Sequence, residues 1–169
     1  MLPFDTYLSP QFLNPMENEK IAVLYVDDEV NNLNSFKATF RREFKVFTAS
    51  SGSEGLAILK ANPVHVIITD QRMPEMSGVE FLVEVVTEFP DPIRILLTGY
   101  ADINAVIDAV NKGHIYYYVS KPWDEQRLRV IIKNAYEIFS LREENKNLIE
   151  QLTDVNGQLE FLLRQKLIS

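Results

Sequence analysis

Two hydrophobic patterns alternate along the chain. Ile21 to Val26 is an unbroken apolar run that stops at Asp27-Asp28-Glu29, as expected of a strand buried on both faces. Val30, Leu33, Phe36 and Phe40 then recur at helical spacing, with Lys37, Arg41 and Arg42 on other faces. Phe44 to Thr48 is a short strand candidate. Ser51-Gly52-Ser53 turns the chain into a helix marked by Leu56, Ile58 and Leu59, which halts at Asn62-Pro63. The next run, Val64 to Thr69, is almost wholly β-branched and ends at Asp70. Met73-Pro74 and Ser77-Gly78 follow as a turn. Val79, Leu82, Val83 and Val86 mark a helix that must end before Pro90 and Pro92. Ile93 to Leu97 is a strand ending in Thr98-Gly99. Ile103, Val106, Ile107 and Val110 form a helical stripe closed by Gly113. Tyr116 to Val119 is the last strand, ending in Ser120-Lys121-Pro122.

Strict strand–helix alternation with short connections implies right-handed crossovers and a parallel sheet. The units are too few for an eight-stranded barrel. The expected fold is α/β: a doubly wound five-stranded parallel sheet of order 2-1-3-4-5, a flavodoxin-like three-layer sandwich. Residues 1–19 hold Pro3, Pro10 and Pro15 among scattered aromatics with no sustained period, and are expected to form an irregular arm. Residues 20–137 make the domain, and 138–169 continue its last helix.

Composition narrows the class. The chain has 169 residues, 46% of them hydrophobic and 24% charged, as in ordinary globular proteins. Its formal net charge of −7 argues against direct nucleic-acid binding over the whole surface. Absence of cysteine excludes disulfides and thiolate metal sites. No apolar run reaches the ~20 residues of a membrane span, so a cytoplasmic protein without membrane attachment is expected. Neither a glycine-rich dinucleotide fingerprint nor a P-loop is present.

The polar residues at the strand ends carry the candidate chemistry. Asp27 and Asp28 follow strand one, Asp70 strand three, Thr98 strand four and Lys121 strand five. Asp70 alone reads equally well as a cap of the following helix. In a parallel sheet, however, all these ends share one edge, and strands one and three flank the switch point where such folds place ligands. Three mutually repelling carboxylates there suit a hard divalent cation, Mg²⁺ or Mn²⁺ in its place. A carboxylate-held cation, a lysine and a hydroxyl are the parts of a phosphoryl-transfer site. Asp70, in the middle, is placed to be the nucleophile.

This set resembles the receiver domain of two-component response regulators. The resemblance covers about Lys20 to Phe139 and rests on Val26-Asp27-Asp28-Glu29, Asp70-Gln71-Arg72-Met73-Pro74 with Ser77-Gly78, Leu97-Thr98-Gly99 and Tyr118-Val119-Ser120-Lys121-Pro122. It implies that Asp70 accepts a phosphoryl group from a histidine kinase or a phosphotransfer protein. It implies Mg²⁺ held by Asp28, Asp70 and the Arg72 backbone carbonyl, with Asp27 acting through water. It also implies that Lys121 pairs with the phosphoryl group, that Thr98 moves toward it, and that Tyr118 turns inward. The change would be read on helix four, strand five and helix five. A cis bond before Pro122 is implied as well. Arg72 and Tyr100 flank the acceptor and are expected to hinder water and slow dephosphorylation.

The tail adds a second signal. Asp124-Glu125 suits a helix start, and Leu128, Ile131, Ile132, Ala135, Ile138 and Phe139 form its inward stripe. From Ile138 the spacing becomes a heptad: Ile138, Asn145, Leu152 and Leu159 at one seam position, Leu141, Leu148, Val155 and Leu162 at the other. A lone seam Asn145 suits an in-register parallel homodimer, with Glu137 and Arg142 placed for an interchain ion pair. The alternative is one long helix packed back on its own domain. The chain is either a stand-alone regulator or the front of a longer protein that relays to a downstream enzyme domain or protein.

The leading expectation is therefore a non-enzymatic phosphorylation switch. Two rivals remain open: a coiled-coil adaptor with an inert receiver, and a haloacid-dehalogenase-like phosphatase. The latter class carries its nucleophile after strand one as Asp-x-Asp, whereas here strand one ends in Asp27-Asp28-Glu29.

Overall fold

The computed structural model describes residues 19–99 and 103–169. Residues 1–18 of the expected arm, and Tyr100, lie outside the described residues. The elements run β1 (Ala22–Val26), α1 (Val30–Phe40), β2 (Lys45–Ala49), α2 (Gly52–Ala61), β3 (Val66–Asp70), α3 (Gly78–Glu88), β4 (Ile93–Thr98), α4 (Ile103–Asn111), β5 (Tyr117–Ser120) and α5 (Glu125–Ile168). All five strands pair in parallel in the order β2-β1-β3-β4-β5. The three-layer sandwich expected from the alternation is thus the fold.

β1, β3 and β4 are buried at every position, which is why they read as continuous apolar runs rather than alternating ones. Two cores flank the sheet. On one face Val23, Tyr25, Val66, Ile68, Ile95 and Leu97 pack with Leu33, Phe36 and Phe40 of α1 and Leu128, Ile132 and Ala135 of α5. On the other, Leu24, Val26, Ile67 and Leu96 pack with Leu59 of α2, Phe81, Leu82 and Val85 of α3, and Val106 and Ala109 of α4. Arg94 of β4 is a buried charge held at the far edge of the sheet. It donates to the carbonyls of His114 (2.9 Å), Pro90 and Pro92 (both 3.0 Å) and Gly113 (3.3 Å).

Helix caps match the local sequence. Ser51 accepts from the Glu54 amide, and Ser77 with Glu80 forms a reciprocal capping box. Asp124 accepts from the Gln126 amide at the head of α5.

Some inward stripes differ from the spacing alone. α3 buries Gly78, Phe81, Leu82 and Val85; of the expected stripe, Leu82 is fully buried and Val79 is partly buried against the core, whereas Val83 is exposed. Val30, expected in the α1 stripe, is exposed at the helix start beside the acidic loop. On α4, Val106 and Ala109 are buried while Ile103 and Ile107 face solvent. β2 begins at Lys45, and Phe44 precedes it as a buried plug stacked on Phe40.

α5 is one helix of 44 residues, about 66 Å long at the standard rise. Up to Phe139 it lies against the sheet. Beyond that, it is mostly exposed.

Candidate phosphoacceptor and cation site

Parallel pairing brings the chemistry to one sheet edge. Val26 aligns with Thr69, Asp70 with Leu97, and Thr98 with Ser120. Asp27 and Asp28 therefore follow β1 directly beside Asp70, the last residue of β3. One carboxylate oxygen from each of Asp27, Asp28 and Asp70 lies within 4.8 Å of the others. Asp27 is fully buried, Asp70 is 7% exposed, and Asp28 is exposed.

Asp27 is the most constrained of the three. Its Oδ2 accepts from the Tyr25 hydroxyl at 2.7 Å and from Asn32 Nδ2 at 3.0 Å. Its Oδ1 accepts from the Glu29 amide at 2.9 Å. Burial, and then the hydrogen bond to Asp27, push the Tyr25 phenol far above its ordinary value.

Asp70 forms an ion pair with Lys121 through Oδ1 and Nζ. Burial raises the Asp70 carboxyl above its usual range, while the Lys121 hydrogen bond and charge oppose the rise. The fold thus places the carboxylate where ionisation is unfavourable and supplies one cation to compensate. Lys121 precedes Pro122 through a cis peptide bond. A cleft of about 400 Å³, lined by Tyr25, Asn32, Lys121, Pro122 and Trp123, opens beside this pair.

Thr98 and Tyr118 are near but not engaged. The buried Thr98 hydroxyl donates to the Gly99 carbonyl at 2.9 Å. Tyr118 is 38% exposed and stacks on Tyr117 with ring centroids 6.3 Å apart. Among the described residues, neither is hydrogen-bonded to Asp70. Arg72 is exposed, two positions past Asp70.

Two residues matter that the strand-end argument did not identify. One is Tyr25; its hydroxyl within an otherwise apolar buried run was the available signal. The other is Gln71, which ties the loop after β3 to α3. Its amide donates to Leu97 O (3.1 Å), its carbonyl accepts from the Gly78 amide (3.0 Å), and its Oε1 accepts from the Val79 amide (3.0 Å).

The donor set suits a hard divalent cation. It offers three carboxylates, two of the three acids are buried, and among the described residues Lys121 forms its ion pair with Asp70. Asp28 and Asp70 have oxygens for direct ligation, and Asp27 stands beside them.

Along the distal part of α5, Leu141, Leu148, Leu152, Val155, Leu159 and Leu162 are each more than half exposed. Asn145 is exposed on the same helix. Ile138 differs: it is partly buried against the domain's own core. The run of exposed heptad positions therefore starts at Leu141.

Comparison with known proteins agrees with this geometry. The family model described as the response regulator receiver domain matches residues 23–133. The hydrogenase transcriptional regulatory protein HoxA of Cupriavidus necator is 38% identical over 154 residues, covering 91% of this chain and 32% of HoxA. The chain thus spans about a third of that relative's length. The solved structure of adenylate cyclase from Rhodopirellula baltica superposes with a TM-score of 0.75 at 31% identity, covering 78% of this chain and 98% of that one. A response regulator receiver domain protein from Clostridium thermocellum superposes with a TM-score of 0.68 at 35% identity, covering 72% and 98%. The strand-end acids, the sheet order and these matches agree: the chain belongs to the response regulator receiver domain family.

Proposed function

We propose that Asp70 is the phosphoacceptor of a signalling switch. A phosphohistidine on a histidine kinase or phosphotransfer protein is the donor. An Asp70 carboxylate oxygen attacks phosphorus, the P–N bond breaks, and the electron pair leaves with the donor's imidazole. An aspartyl phosphate results. The observation that carries this reading is the Asp70–Lys121 pair at the end of β3, with the Asp27 and Asp28 oxygens within 4.8 Å.

Each residue has a physical task. Lys121 pairs with Asp70 before reaction and with the phosphoryl oxygens after it. Asp28, Asp70 and the Arg72 carbonyl would hold Mg²⁺, or Mn²⁺, with Asp27 reaching it through water. When bound, that cation neutralises charge developing on the transferred group. Thr98, released from the Gly99 carbonyl, can donate to a phosphoryl oxygen instead. The space it vacates is the one Tyr118 would enter. Such contacts exist only in the phosphorylated state, so they can bias the face built from α4, β5 and α5.

The domain division that goes with this reading is an arm at 1–19, a cytoplasmic receiver at 20–137 and a coil at 138–169. The exposed leucines of α5 would form the seam of a parallel homodimer. Asn145 would set the register, and Glu137 would face Arg142 of the second copy. The output lies in a downstream protein or domain rather than in a catalytic site of this chain. The likeness to HoxA, a transcriptional regulatory protein, supports gene regulation as one output; the likeness to the adenylate cyclase structure supports an enzyme as another.

The deciding experiment is incubation with Mg²⁺ and a small phosphodonor, followed by intact-mass measurement. Stable gain of one phosphoryl group, absent in Asp70→Ala, is expected. Turnover of a phosphate ester would favour a phosphatase instead. No gain with several donors would mean an inert receiver. Sedimentation of the same samples tests the coil; a monomer at all concentrations refutes the dimer.

A further inference from the structure

β1 is apolar except for one hydroxyl. Tyr25 is 1% exposed, and its ring stacks on Phe36 with centroids 4.3 Å apart and planes at 30°. A phenylalanine would make the same contact. What the tyrosine adds is one hydrogen bond, donated to Asp27 Oδ2 at 2.7 Å.

That bond changes what Asp27 can offer. An ionised carboxylate has about four acceptor positions, two on each oxygen. Oδ2 uses both, on Tyr25 and Asn32. Oδ1 uses one, on the Glu29 amide. Among the described residues, one acceptor position is left, and it lies on Oδ1. Tyr25 and Asn32 sit on the strand before Asp27 and the helix after it, so together they also fix the rotation of the carboxylate.

We infer that Tyr25 is a positioning residue for cation binding: with Asn32, its hydroxyl fills Asp27 Oδ2 and leaves Oδ1 as the Asp27 oxygen with an acceptor position to offer. This deepens the receiver reading and rests on it. The chemical consequence is selectivity. A bidentate carboxylate is a common Ca²⁺ ligand, and Ca²⁺ takes six to eight oxygens in flexible geometry. Mg²⁺ is octahedral, keeps several of its waters and is served by one or two carboxylates. An Asp27 with one available acceptor cannot clasp a cation through both oxygens, but it can accept from a cation-bound water. Tyr25 therefore biases the site toward the smaller, more hydrated ion.

Tyr25→Phe removes the hydroxyl and keeps the ring, so the stack on Phe36 survives. The chain's one tryptophan, Trp123, lines the same cleft as Tyr25 and Lys121, so its emission can follow titration with MgCl₂ or CaCl₂. The expected result is Mg²⁺ affinity weakened about 10-fold, the lower end for loss of an outer-shell partner. Ca²⁺ affinity falls less, so the Mg²⁺ over Ca²⁺ preference shrinks. The rate of phosphoryl gain, read by intact mass, returns to the wild-type value once Mg²⁺ saturates. Equal half-saturating Mg²⁺ concentrations for the two proteins overturn the inference while leaving the receiver reading intact. A rate that stays low at saturating Mg²⁺ overturns it too, because that would mean a general structural defect. No saturable Mg²⁺ response and no phosphoryl gain in the wild type would overturn the receiver reading itself.

Discussion

Gly78→Ala is expected to damage the site through the backbone of Asp70. Gly78 is the first residue of α3, and an ideal Cβ there would stand 2.3 Å from the Asp70 carbonyl oxygen and 2.8 Å from Leu96 Cδ1. A carbon–oxygen contact normally needs about 3.3 Å, so roughly 1 Å of separation has to be found. Leu96 can yield by changing rotamer. The Asp70 carbonyl cannot move so cheaply, because it lies on a buried strand paired with β4 and accepts from Thr69 Oγ1 at 3.0 Å. The alternative is for α3 to move off, which strains the two hydrogen bonds that the Gly78 and Val79 amides donate to Gln71.

Overpacking of about 1–3 kcal/mol and two weakened hydrogen bonds of about 0.5–1.5 kcal/mol each, less up to about 1 kcal/mol from better helix propensity, leave about 1–6 kcal/mol of destabilisation, centred near 3 kcal/mol. A domain with an ordinary margin of roughly 5–15 kcal/mol stays folded. A 1 Å displacement of the backbone of Asp70, the proposed nucleophile, should also slow phosphoryl gain by up to about 100-fold. Urea denaturation and intact-mass kinetics at saturating Mg²⁺ measure the two effects. Gly52→Ala is the control: its Cβ would meet Met76 Sδ at 2.6 Å, the end of a flexible side chain, so its loss should stay under about 1.5 kcal/mol. A Gly78→Ala protein within about 0.5 kcal/mol of wild type, the range of an ordinary surface change, would refute the reasoning.

Two further outcomes are expected. Gly157 meets nothing within 4 Å on the exposed part of α5, so Gly157→Ala should stabilise the tail helix by about 1 kcal/mol per chain; circular dichroism on heating that shows no gain would contradict this. His65 accepts from the Ala22 amide at 2.9 Å through Nδ1 and lies between Tyr136 and Phe139 of α5, 5.1 and 4.9 Å from their rings. Burial lowers its imidazole below the ordinary value, with Glu19 weakly opposing. The native state therefore favours neutral His65: its contribution to stability is complete above the unfolded value, about 6.5, and is lost as pH falls through the lowered folded value. Wild type should lose more stability on acidification than His65→Asn, and a difference in denaturation midpoint independent of pH would rule this out.

The strand ends were legible because parallel topology leaves little choice. Once β1, β3, β4 and β5 are recognised as buried runs, Asp27, Asp70, Thr98 and Lys121 must share an edge wherever the helices lie. The facing of α3 was not legible in the same way. Gly78, Phe81, Leu82 and Val85 have the same spacing as Val79, Leu82, Val83 and Val86, and the six apolar side chains of that helix fall on both sets. What chooses between them is close approach: only a glycine fits against the Asp70 carbonyl. Tyr25 was hidden for a different reason. A hydroxyl on a buried strand must bond something, but periodicity does not say what, and here the partner is the acid two residues on. Ile138 fits the heptad equally well on paper, yet the domain's own core covers part of it.

If an event at Asp70 is read through α5, as proposed, the length of that helix decides how large the event has to be. The helix is anchored by Leu128, Ile132 and Ala135, all buried against the sheet, and runs without proline to Ile168. From Ala135 to Leu162 it extends about 40 Å at the standard rise. A tilt of about 10° at the anchor would carry the far seam about 7 Å, more than one helical turn. Packed interfaces do not deform continuously, so a second copy meeting this seam must either follow the tilt or change register. The anchor also has a stiff side: Arg129 pairs with Glu43 at 2.6 Å and lies over the Phe40 ring, while Lys133 pairs with the same Glu43 at 2.8 Å. Those contacts tie α5 to α1 and the chain just after it, so tilt is easier about that edge than across it. In the proposed switch, Thr98 and Tyr118 act from the opposite side, where Ile103, Ile107 and Tyr116 leave an apolar surface open. A modest rearrangement there is enough for the proposed coil, because the helix geometry rather than the site supplies the amplitude.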